Sequence, residues 1–600
     1  MSHDPLIDRR ELDLQLHALQ DAAALCRYPR FAAHGRDTFD AVLDSARALA
    51  LSHFAPHNRA SDEREPRFVD GRVEVIPEVK AALDAFADAG FPALLADEAE
   101  GGMQLPYTVA LACDALFCGA NVSTTGYALL ARGVANLLQA HASAEQNARY
   151  RTPLLQGRFL GTMCLSEPQA GSSLADIRTR AEPAGDGTYR LTGAKMWISG
   201  GEHDLAENII HLVLARLPDA PPGVKGLSLF IVPRLRVGAD GKLGERNDVQ
   251  LAGVNHKLGQ RGIVNTFLKF GERGDCHAEL VGEPGQGLAQ MFHLMNEARI
   301  GVGVGAISLG MAGYRYSLAY ARERRQGRHP DQKDPASPPV PIIEHADVRR
   351  LLLQQKALVE GALGLAFEAA RRVDVLANDP DAGRRRDAGL LLELLTPVIK
   401  AWSAEECVRA NDLAIQVLGG YGYTREYPVE QYWRDNRLNP IHEGANGIQG
   451  LDLLGRKVMM AGGAALSLLR GEITGTAREA AAVPALAAHA AALEAAATRL
   501  AEVTAALGAA MARGDVRVAL AQASRYLHFT GHVAVAWSWL RQALAAQRAV
   551  AASDDERDFL AGKLAACDWF FRQELPTTEH DARLLASLDS RLVDLRTEWL

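Results

Sequence analysis

Cysteine is scarce in this sequence, and no two cysteines are spaced to share a metal ion. Seven cysteines are scattered over 600 residues, and none forms a CxxC pair. This spacing argues against a zinc site and against a disulfide framework. Isolated thiols are typical of proteins in a reducing compartment. We therefore predict no metal site.

Long apolar runs and basic tracts are also absent. No uninterrupted apolar stretch reaches the ~18 residues of a membrane-spanning helix. The N-terminal segment carries Arg9, Arg10 and Glu11 where a signal peptide would be apolar. Net charge is −8, and the densest basic patches, residues 322–328 and 384–386, are short and mixed with acids. We expect a cytoplasmic protein with no membrane span and no nucleic-acid partner.

The hydropathy pattern predicts a mainly α protein with a small β-domain. A chain of 600 residues is too long for one core, so several domains are expected. Helical spacing covers residues 10–160, short β-branched runs follow to about 275, and long helical patterns return at 299–324, 346–378 and 386–418. The predicted domains are an N-terminal helical domain at 1–160, an antiparallel β-domain at 161–280, a helical bundle at 281–465 and a further helical domain at 470–600.

Two features of the helical regions lead to specific expectations. Small residues recur in 299–324, at Gly301, Gly303, Gly305, Gly310 and Gly313, and predict close contact with neighbouring helices. The Ala- and Leu-rich segment 477–512 keeps helical spacing, and alanine has the highest helix propensity. We therefore predict a helical segment there, followed by two more at 517–552 and 556–574.

The segment IHEGANGIQG, residues 441–450, places a single carboxylate beside a glycine. Glu443 before Gly444 can sit on a turn and point into a cavity. A base that removes a proton from carbon must approach that proton closely. The motif alone is more typical of an ordinary loop or a helix start, so its neighbours decide the interpretation.

Three further blocks precede this motif in a fixed order: MCLSEPQAGSS at 163–173, KMWISG at 195–200 and QVLGGYG at 416–422. Together with the Glu443 motif they resemble the acyl-CoA dehydrogenase family of flavoenzymes, over residues 40 to about 465. The resemblance implies a helical domain, an antiparallel β-domain and a four-helix-bundle domain. Residues 470–600 resemble the extension of a longer bacterial subgroup, which includes enzymes for straight-chain acyl-CoA and for methylthiopropanoyl-CoA.

The resemblance implies an FAD-dependent oxidation of an acyl-CoA thioester to the trans-2-enoyl-CoA. Glu443 would take the α-proton and flavin N5 the β-hydride, because protein side chains cannot accept hydride. In a second group of the family the base directly precedes an arginine that matches Arg299. The residue there is Ala298, and Glu297 is one position off. We expect a medium- or long-chain fatty acyl-CoA as substrate and an electron-transfer flavoprotein as electron acceptor.

Site residues follow from the same resemblance. Cofactor binding is assigned to Met163, Leu165, Ser166, Gly171, Ser172, Trp197, Ser199, Arg324, Gln416, Gly419 and Gly420. Substrate binding is assigned to Ser172, Arg299 and Gly444. Arg324 and Gln416 match residues that reach the FAD of a neighbouring subunit, so we expect a homo-oligomer. We favour a dimer over a tetramer because the C-terminal extension could occupy the tetramer surface.

The sequence departs from the family at three positions, and other functions remain to be weighed. Ala445 replaces a usual threonine, His442 an aromatic residue, and Ala346 a glutamine that contacts FAD.

The nearest alternatives are an acyl-CoA oxidase and a 3-(methylthio)propanoyl-CoA dehydrogenase. A relative that oxidises nitroalkanes uses aspartate as its base, and Glu443 weighs against it. A DNA-binding stress flavoprotein of the same fold should have a basic C-terminal face, but residues 470–600 mix arginine with acids.

Overall fold

The computed structural model describes residues 4–600 and, within them, the side chains of all but residues 292–296. Its longer helices are α1 (Arg36–Leu49), α2 (Pro77–Asp88), α3 (Tyr107–His141), α4 (Gly287–Glu323), α5 (Ala346–Asn378), α6 (Ala382–Leu418), α7 (Val429–Asn436), α8 (Asn446–Gly455), α9 (Ala464–Ala481), α10 (Ala487–Ala512), α11 (Ala523–Arg548), α12 (Asp554–Trp569) and α13 (Thr577–Ala586). Its strands are β1 (Arg67–Val69), β2 (Arg72–Glu74), β3 (Phe159–Cys164), β4 (Arg180–Pro183), β5 (Tyr189–Ser199), β6 (Asn208–Arg216), β7 (Leu227–Pro233), β8 (Leu235–Val237), β9 (Leu243–Arg246), β10 (Val249–Val254), β11 (Asn265–Phe270) and β12 (His277–Leu280).

The chain forms two compact units. The first unit contains Met1–Asp40, Pro106–Ala115 and Arg299–Leu600, and the second contains Ala41–Leu105 and Leu116–Ala298. Among the described residues, no helix has both the length and the apolar character needed to cross a bilayer.

The second unit is organised around an eight-stranded sheet with the order β10-β11-β5-β12-β7-β6-β3, and β4 pairs with β5 and β6. Strand β7 is buried throughout and β6 up to its last residue, as expected for central strands covered on both faces. Most pairs are antiparallel, but β3 runs parallel to β6. The predicted antiparallel pairing is therefore confirmed for most of the sheet, and the exceptions are the parallel pairs of β3 and β4 with β6. Strands β4 and β5 separate β3 and β6 in sequence and leave room for the crossover that a parallel pair requires.

The first unit contains the long helices, and two of them match the predicted spans closely: α5 begins at Ala346 and α6 ends at Leu418. The predicted close contacts of the glycines in α4 are confirmed at three positions. A Cβ atom would lie 2.8 Å from Ile399 at Gly303, 2.8 Å from Val359 at Gly310 and 2.4 Å from Asn411 at Gly313. Gly301 and Gly305 have open space instead.

The C-terminal extension is helical, and its helix α11 packs against α5 and α6. Trp539 of α11 donates a hydrogen bond to Ala357 O at 2.8 Å, and Trp402 of α6 donates to His532 Nδ1 at 3.0 Å. The segment predicted at 477–512 is two helices, because α9 ends at Ala481 and α10 begins at Ala487. Pro484 lies in the break, where it has no N–H for a helical hydrogen bond.

Candidate active site

Glu443 lies on a tight turn between α7 and α8 with left-handed backbone geometry. Its φ is 52°, and that of Gly444 is 89°. A residue with a side chain adopts this conformation at a cost of order 1–3 kcal/mol, so the surroundings must hold it. The Gln449 side-chain amide donates to Glu443 O at 3.0 Å and to Gly444 O at 3.3 Å. A Cβ atom on Gly444 would approach that amide nitrogen to 2.6 Å, so the position requires glycine.

Two cations surround the half-buried Glu443 carboxylate. Burial raises the pKa of Glu443, and the charges of Arg299 and Lys400 partly oppose that rise. Arg299 is 4% exposed and forms an ion pair with Asp452 at 3.0 Å. The structure therefore brings the predicted residues Glu443, Gly444 and Arg299 into one charged cluster.

Lys400 is a member of this cluster that the sequence interpretation missed. It lies in α6 with no exposed surface, and its Nζ donates to Gly444 O at 2.7 Å and to Asn446 Oδ1 at 3.4 Å. Burial lowers the pKa of Lys400 to about 7, and Arg299 adds to this effect while Glu443 opposes it. The only signal in the sequence is a lysine within the apolar run Val398–Trp402.

His442, which replaces an aromatic residue of the family pattern, and Asn446 both form hydrogen bonds within the first unit. His442 Nε2 donates to Asn439 Oδ1 at 2.9 Å. Burial, with the charge of Lys400, lowers the pKa of His442 to about 3, so the ring is neutral. Asn446 donates to Ala401 O at 3.2 Å, so its side chain ties α8 to α6. Ala445 is the N-cap residue of α8 and provides no side-chain hydrogen bond.

In the second unit, the loop after β3 is anchored by a buried ion pair. Lys195 lies 3.0 Å from Glu167 and also donates to Leu165 O at 2.9 Å. Glu167 further accepts hydrogen bonds from the Thr179 hydroxyl at 2.6 Å and from Arg178 N at 2.7 Å. Burial opposes ionisation of Glu167, but Lys195 and these donors outweigh it and lower its pKa to about 2. Neither Glu167 nor Lys195 was given a role from the sequence.

The predicted cofactor residues at the end of β3 and in the loop lie at or near the surface. Met163, Leu165 and Ser166 are half-buried, whereas Gly171 and Ser172 are exposed. Ser166 O accepts a hydrogen bond from Met196 N at 3.0 Å, which joins the loop to β5. A Cβ atom on Gly171 would have no neighbour within 4 Å, so the backbone there is open to an approaching group.

Trp197 is exposed although it lies in a strand. Its φ is 67°, and the register of β5 against β11 shifts at this point, as in a β-bulge that redirects a side chain. The indole is 62% exposed, so Trp197 is not a core residue. Ser199 nearby accepts a hydrogen bond from Asn265 Nδ2 at 3.1 Å.

The residues predicted to reach a partner's cofactor lie together on the first unit. The Arg324 guanidinium stands 5.5 Å from the centroid of the Tyr421 ring and donates to Gln326 Oε1 at 3.1 Å. Gln416, Gly419 and Gly420 are exposed, and a Cβ atom on either glycine would meet nothing within 4 Å. A half-buried cation beside open glycine backbone suits a phosphate-bearing ligand.

The alternative base position contains no usable carboxylate at the matching residue. Ala298 occupies it, and the adjacent Glu297 accepts a hydrogen bond from Asn136 Nδ2 at 3.0 Å in the second unit. Glu297 therefore serves as an acceptor for another side chain.

Comparison with known proteins gives the same assignment over nearly the whole chain. The acyl-CoA dehydrogenase family models match residues 36–158 (N-terminal domain), 162–270 (middle domain) and 285–459 (C-terminal domain). A model described as acetyl-CoA dehydrogenase C-terminal like matches residues 469–596.

Two curated relatives cover most of the chain. The 3-methylmercaptopropionyl-CoA dehydrogenase of Ruegeria pomeroyi is 40% identical, over 92% of this chain and 94% of its own. A broad-specificity linear acyl-CoA dehydrogenase of Mycobacterium tuberculosis is 35% identical, over 89% of each chain.

Two solved structures share the fold. Caenorhabditis elegans ACDH-11, in complex with C11-CoA, has a TM-score of 0.76 at 18% identity and covers 99% of this chain and 96% of its own. An acyl-CoA dehydrogenase from Bacillus anthracis, complexed with FAD, has a TM-score of 0.70 at 18% identity and covers 92% and 91%. From these matches, the chain belongs to the acyl-CoA dehydrogenase family of oxidoreductases.

Proposed function

We propose that this enzyme oxidises an acyl-CoA thioester between its α and β carbons, with Glu443 as the base that takes the α-proton. The observation that carries the proposal is the turn at Glu443. The backbone of Glu443 has left-handed geometry there. Its half-buried carboxylate has a raised pKa and two cations near it. A base that must act on a carbon acid needs both the fixed position and the raised pKa.

FAD is the cofactor, and the chain's residues suit it. Trp197 offers an exposed aromatic surface beside the loop with Ser166, Gly171 and Ser172, and Arg324 offers a cation for a pyrophosphate. When bound, the flavin accepts the hydride from the β-carbon. The residues proposed to hold it are those assigned from the sequence, including Met163, Leu165 and Ser199, with Gln416, Gly419 and Gly420 on a partner subunit.

The cluster around Glu443 contributes to the proton transfer in two ways. Burial favours the protonated carboxyl group and so makes the carboxylate a stronger base. Arg299 and Lys400 oppose this effect and favour the ionised carboxylate, which is the form that accepts a proton. The backbone N–H of Glu443 is available to bond the thioester oxygen, and such a donor stabilises the developing enolate. Gly444 allows the Gln449 amide to approach the turn closely and hold it.

The substrate we propose is a medium- or long-chain fatty acyl-CoA, with an electron-transfer flavoprotein as acceptor. A second candidate is 3-(methylthio)propanoyl-CoA, which the 40% identity to the Ruegeria pomeroyi enzyme favours. A panel from butyryl-CoA to stearoyl-CoA, with branched and thioether chains, separates them by kcat/KM with a dye acceptor. The rates at which the flavoprotein and oxygen reoxidise the substrate-reduced enzyme, compared on the same preparation, separate a dehydrogenase from an oxidase. DNA binding, tested by gel shift, would indicate the stress-flavoprotein alternative.

The base is tested by the substitution Glu443→Gln, which keeps the shape of the side chain but cannot take a proton. We expect a yellow, folded protein whose kcat falls by at least ~10²-fold. Glu297→Gln is the matched control, because it changes in the same way the glutamate next to the alternative base position, and it should retain turnover. An active Glu443→Gln variant with an inactive Glu297→Gln variant would move the base to Glu297.

A further inference from the structure

Lys400 differs from the other fully buried lysines of this chain. Lys195, Lys457 and Lys563 each pair with a glutamate: Lys195 with Glu167, Lys457 with Glu393, and Lys563 with Glu360. Lys400 forms no ion pair with a carboxylate in the part of the chain that the structure describes. Burying an ammonium group without such a pair costs free energy. The hydrogen bonds of Lys400 and the charge of the nearby Glu443 must therefore offset this cost.

The hydrogen bonds of Lys400 end on the turn that follows Glu443 and on the first residue of α8. Its Nζ reaches Gly444 O at 2.7 Å and Asn446 Oδ1 at 3.4 Å. Gln449 reaches the same Gly444 oxygen from α8, at 3.3 Å. The Gly444 carbonyl is therefore fixed by donors from both α6 and α8, and this carbonyl belongs to the residue that follows the strained Glu443 backbone.

The charge of Lys400 also acts on the carboxylate. It opposes the rise in the pKa of Glu443, together with Arg299, and Glu443 in turn favours the charged lysine. Below a pH of about 7, where the pKa of Lys400 lies, the side chain is mostly an ammonium ion. While Lys400 is charged, its ammonium group favours the ionised form of Glu443. The other ionisable groups around Lys400 are Arg299 and the neutral His442.

We infer that Lys400 is a positioning residue for the reaction: it fixes the turn that aims Glu443 and holds an ammonium group near the carboxylate. This inference rests on the proposed role of Glu443 as the base. Lys400 acts through the Gly444 carbonyl and through its charge, without a proton transfer of its own.

The test uses Lys400→Met, Lys400→Gln and Lys400→Arg in the full-length, FAD-loaded enzyme. Removing the cation should raise the pKa of Glu443, so the acid limb of the kcat/KM profile should move to higher pH by about one unit. Loosening the turn should lower kcat by up to about 10²-fold, with a smaller change in KM. Lys400→Arg, which keeps the charge and the donors, should return the acid limb towards its wild-type position.

The matched control is Lys457→Met, which removes another buried lysine whose pKa Arg299 also lowers. It should lower the unfolding temperature but leave kcat and the acid limb near their wild-type values. Folded Met or Gln variants with wild-type kcat and acid limb would overturn the inference. It would also fail if neither variant folds, since Lys400 would then be structural alone. Glu443→Gln, measured in parallel, distinguishes failure of this inference from failure of the proposed function. An active Glu443→Gln variant rejects Glu443 as the base. An inactive Glu443→Gln variant together with a wild-type-like Lys400→Met variant rejects only the role of Lys400.

Discussion

Gly450 of α8 packs directly against the backbone of Ala523, the first residue of α11. A Cβ atom on Gly450 would lie 2.7 Å from the carbonyl carbon and oxygen of Ala523 and 2.9 Å from Ser524 N. Helix α8 begins three residues after Glu443, and α11 belongs to the C-terminal extension. The extension therefore supports the helix that follows the proposed base. A substitution at this contact can measure how much the extension contributes to stability and activity.

The substitution Gly450→Ala should separate α8 from α11, because the contacted atoms are backbone and cannot rotate away. Overpacking of this kind costs typically 1–3 kcal/mol. We expect a lower unfolding temperature and a reduced kcat. The control is Gly447→Ala in the same helix, where a Cβ atom would meet Ser524 Oγ at an ordinary 3.8 Å. That variant should be neutral or more stable, since alanine favours a helix over glycine by up to ~1 kcal/mol. Equal effects of the two substitutions would contradict the proposed support.

The ion pair between Glu167 and Lys195 should hold the loop that carries Ser166 and Ser172. Glu167→Gln would leave a buried lysine uncompensated, and breaking such a pair costs roughly 3–5 kcal/mol. The expected result is a lower free energy of unfolding and weaker retention of FAD, measured by denaturation and by flavin absorbance. Adding Lys195→Met to this variant should recover part of the stability, because no unpaired charge then remains. No recovery in the double variant would show that the two residues act independently.

The same pair predicts a pH dependence of stability with a definite sign. The pKa of Glu167 is lowered from 4.5 to about 2 in the folded protein. Its stabilising contribution is thus fully present above the unfolded pKa and is lost as pH falls through the folded one. Wild-type stability should therefore drop between about pH 4.5 and 2, and Glu167→Gln should show a shallower drop. Parallel curves for the two proteins would rule out this contribution.

Sequence patterns predicted the helices, whose residue spacing repeats locally. They did not predict features that depend on tertiary contacts. The 3.6-residue period predicted α5 almost to the residue, and the block order indicated the family. Left-handed geometry at Glu443 and Trp197 could not be predicted, because neither residue favours it and distant contacts impose it. Lys400 is far from Gly444 in the sequence, and only the packing of α6 against the turn brings them together. The exposure of Trp197 likewise depends on a register shift between β5 and β11.

The raised pKa of Glu443 predicts how activity depends on pH. The carboxylate must be ionised to take a proton, and burial raises its pKa above the ordinary 4.5. Activity should fall as pH decreases, with the acid limb of kcat/KM at a pH above 4.5. Glu297→Gln should leave that limb unchanged. An acid limb at or below the ordinary glutamate value would mean that Glu443 is solvated in the working enzyme, which contradicts the burial that the proposal requires.

Arg324 provides the test of the predicted subunit arrangement. We expect light scattering to give twice the mass of one chain, and Arg324→Ala to weaken FAD binding while its own subunit stays folded. A guanidinium–pyrophosphate contact is charge-assisted and stronger than a neutral hydrogen bond, so its loss should be visible as flavin released on dilution. Arg322→Ala is the control, because Arg322 lies two residues earlier, in the last turn of α4, and is exposed but has no assigned contact with the cofactor. A monomer that retains FAD tightly would contradict the dimer and the roles of Arg324 and Gln416 together, because both residues are assigned to the cofactor of a partner subunit.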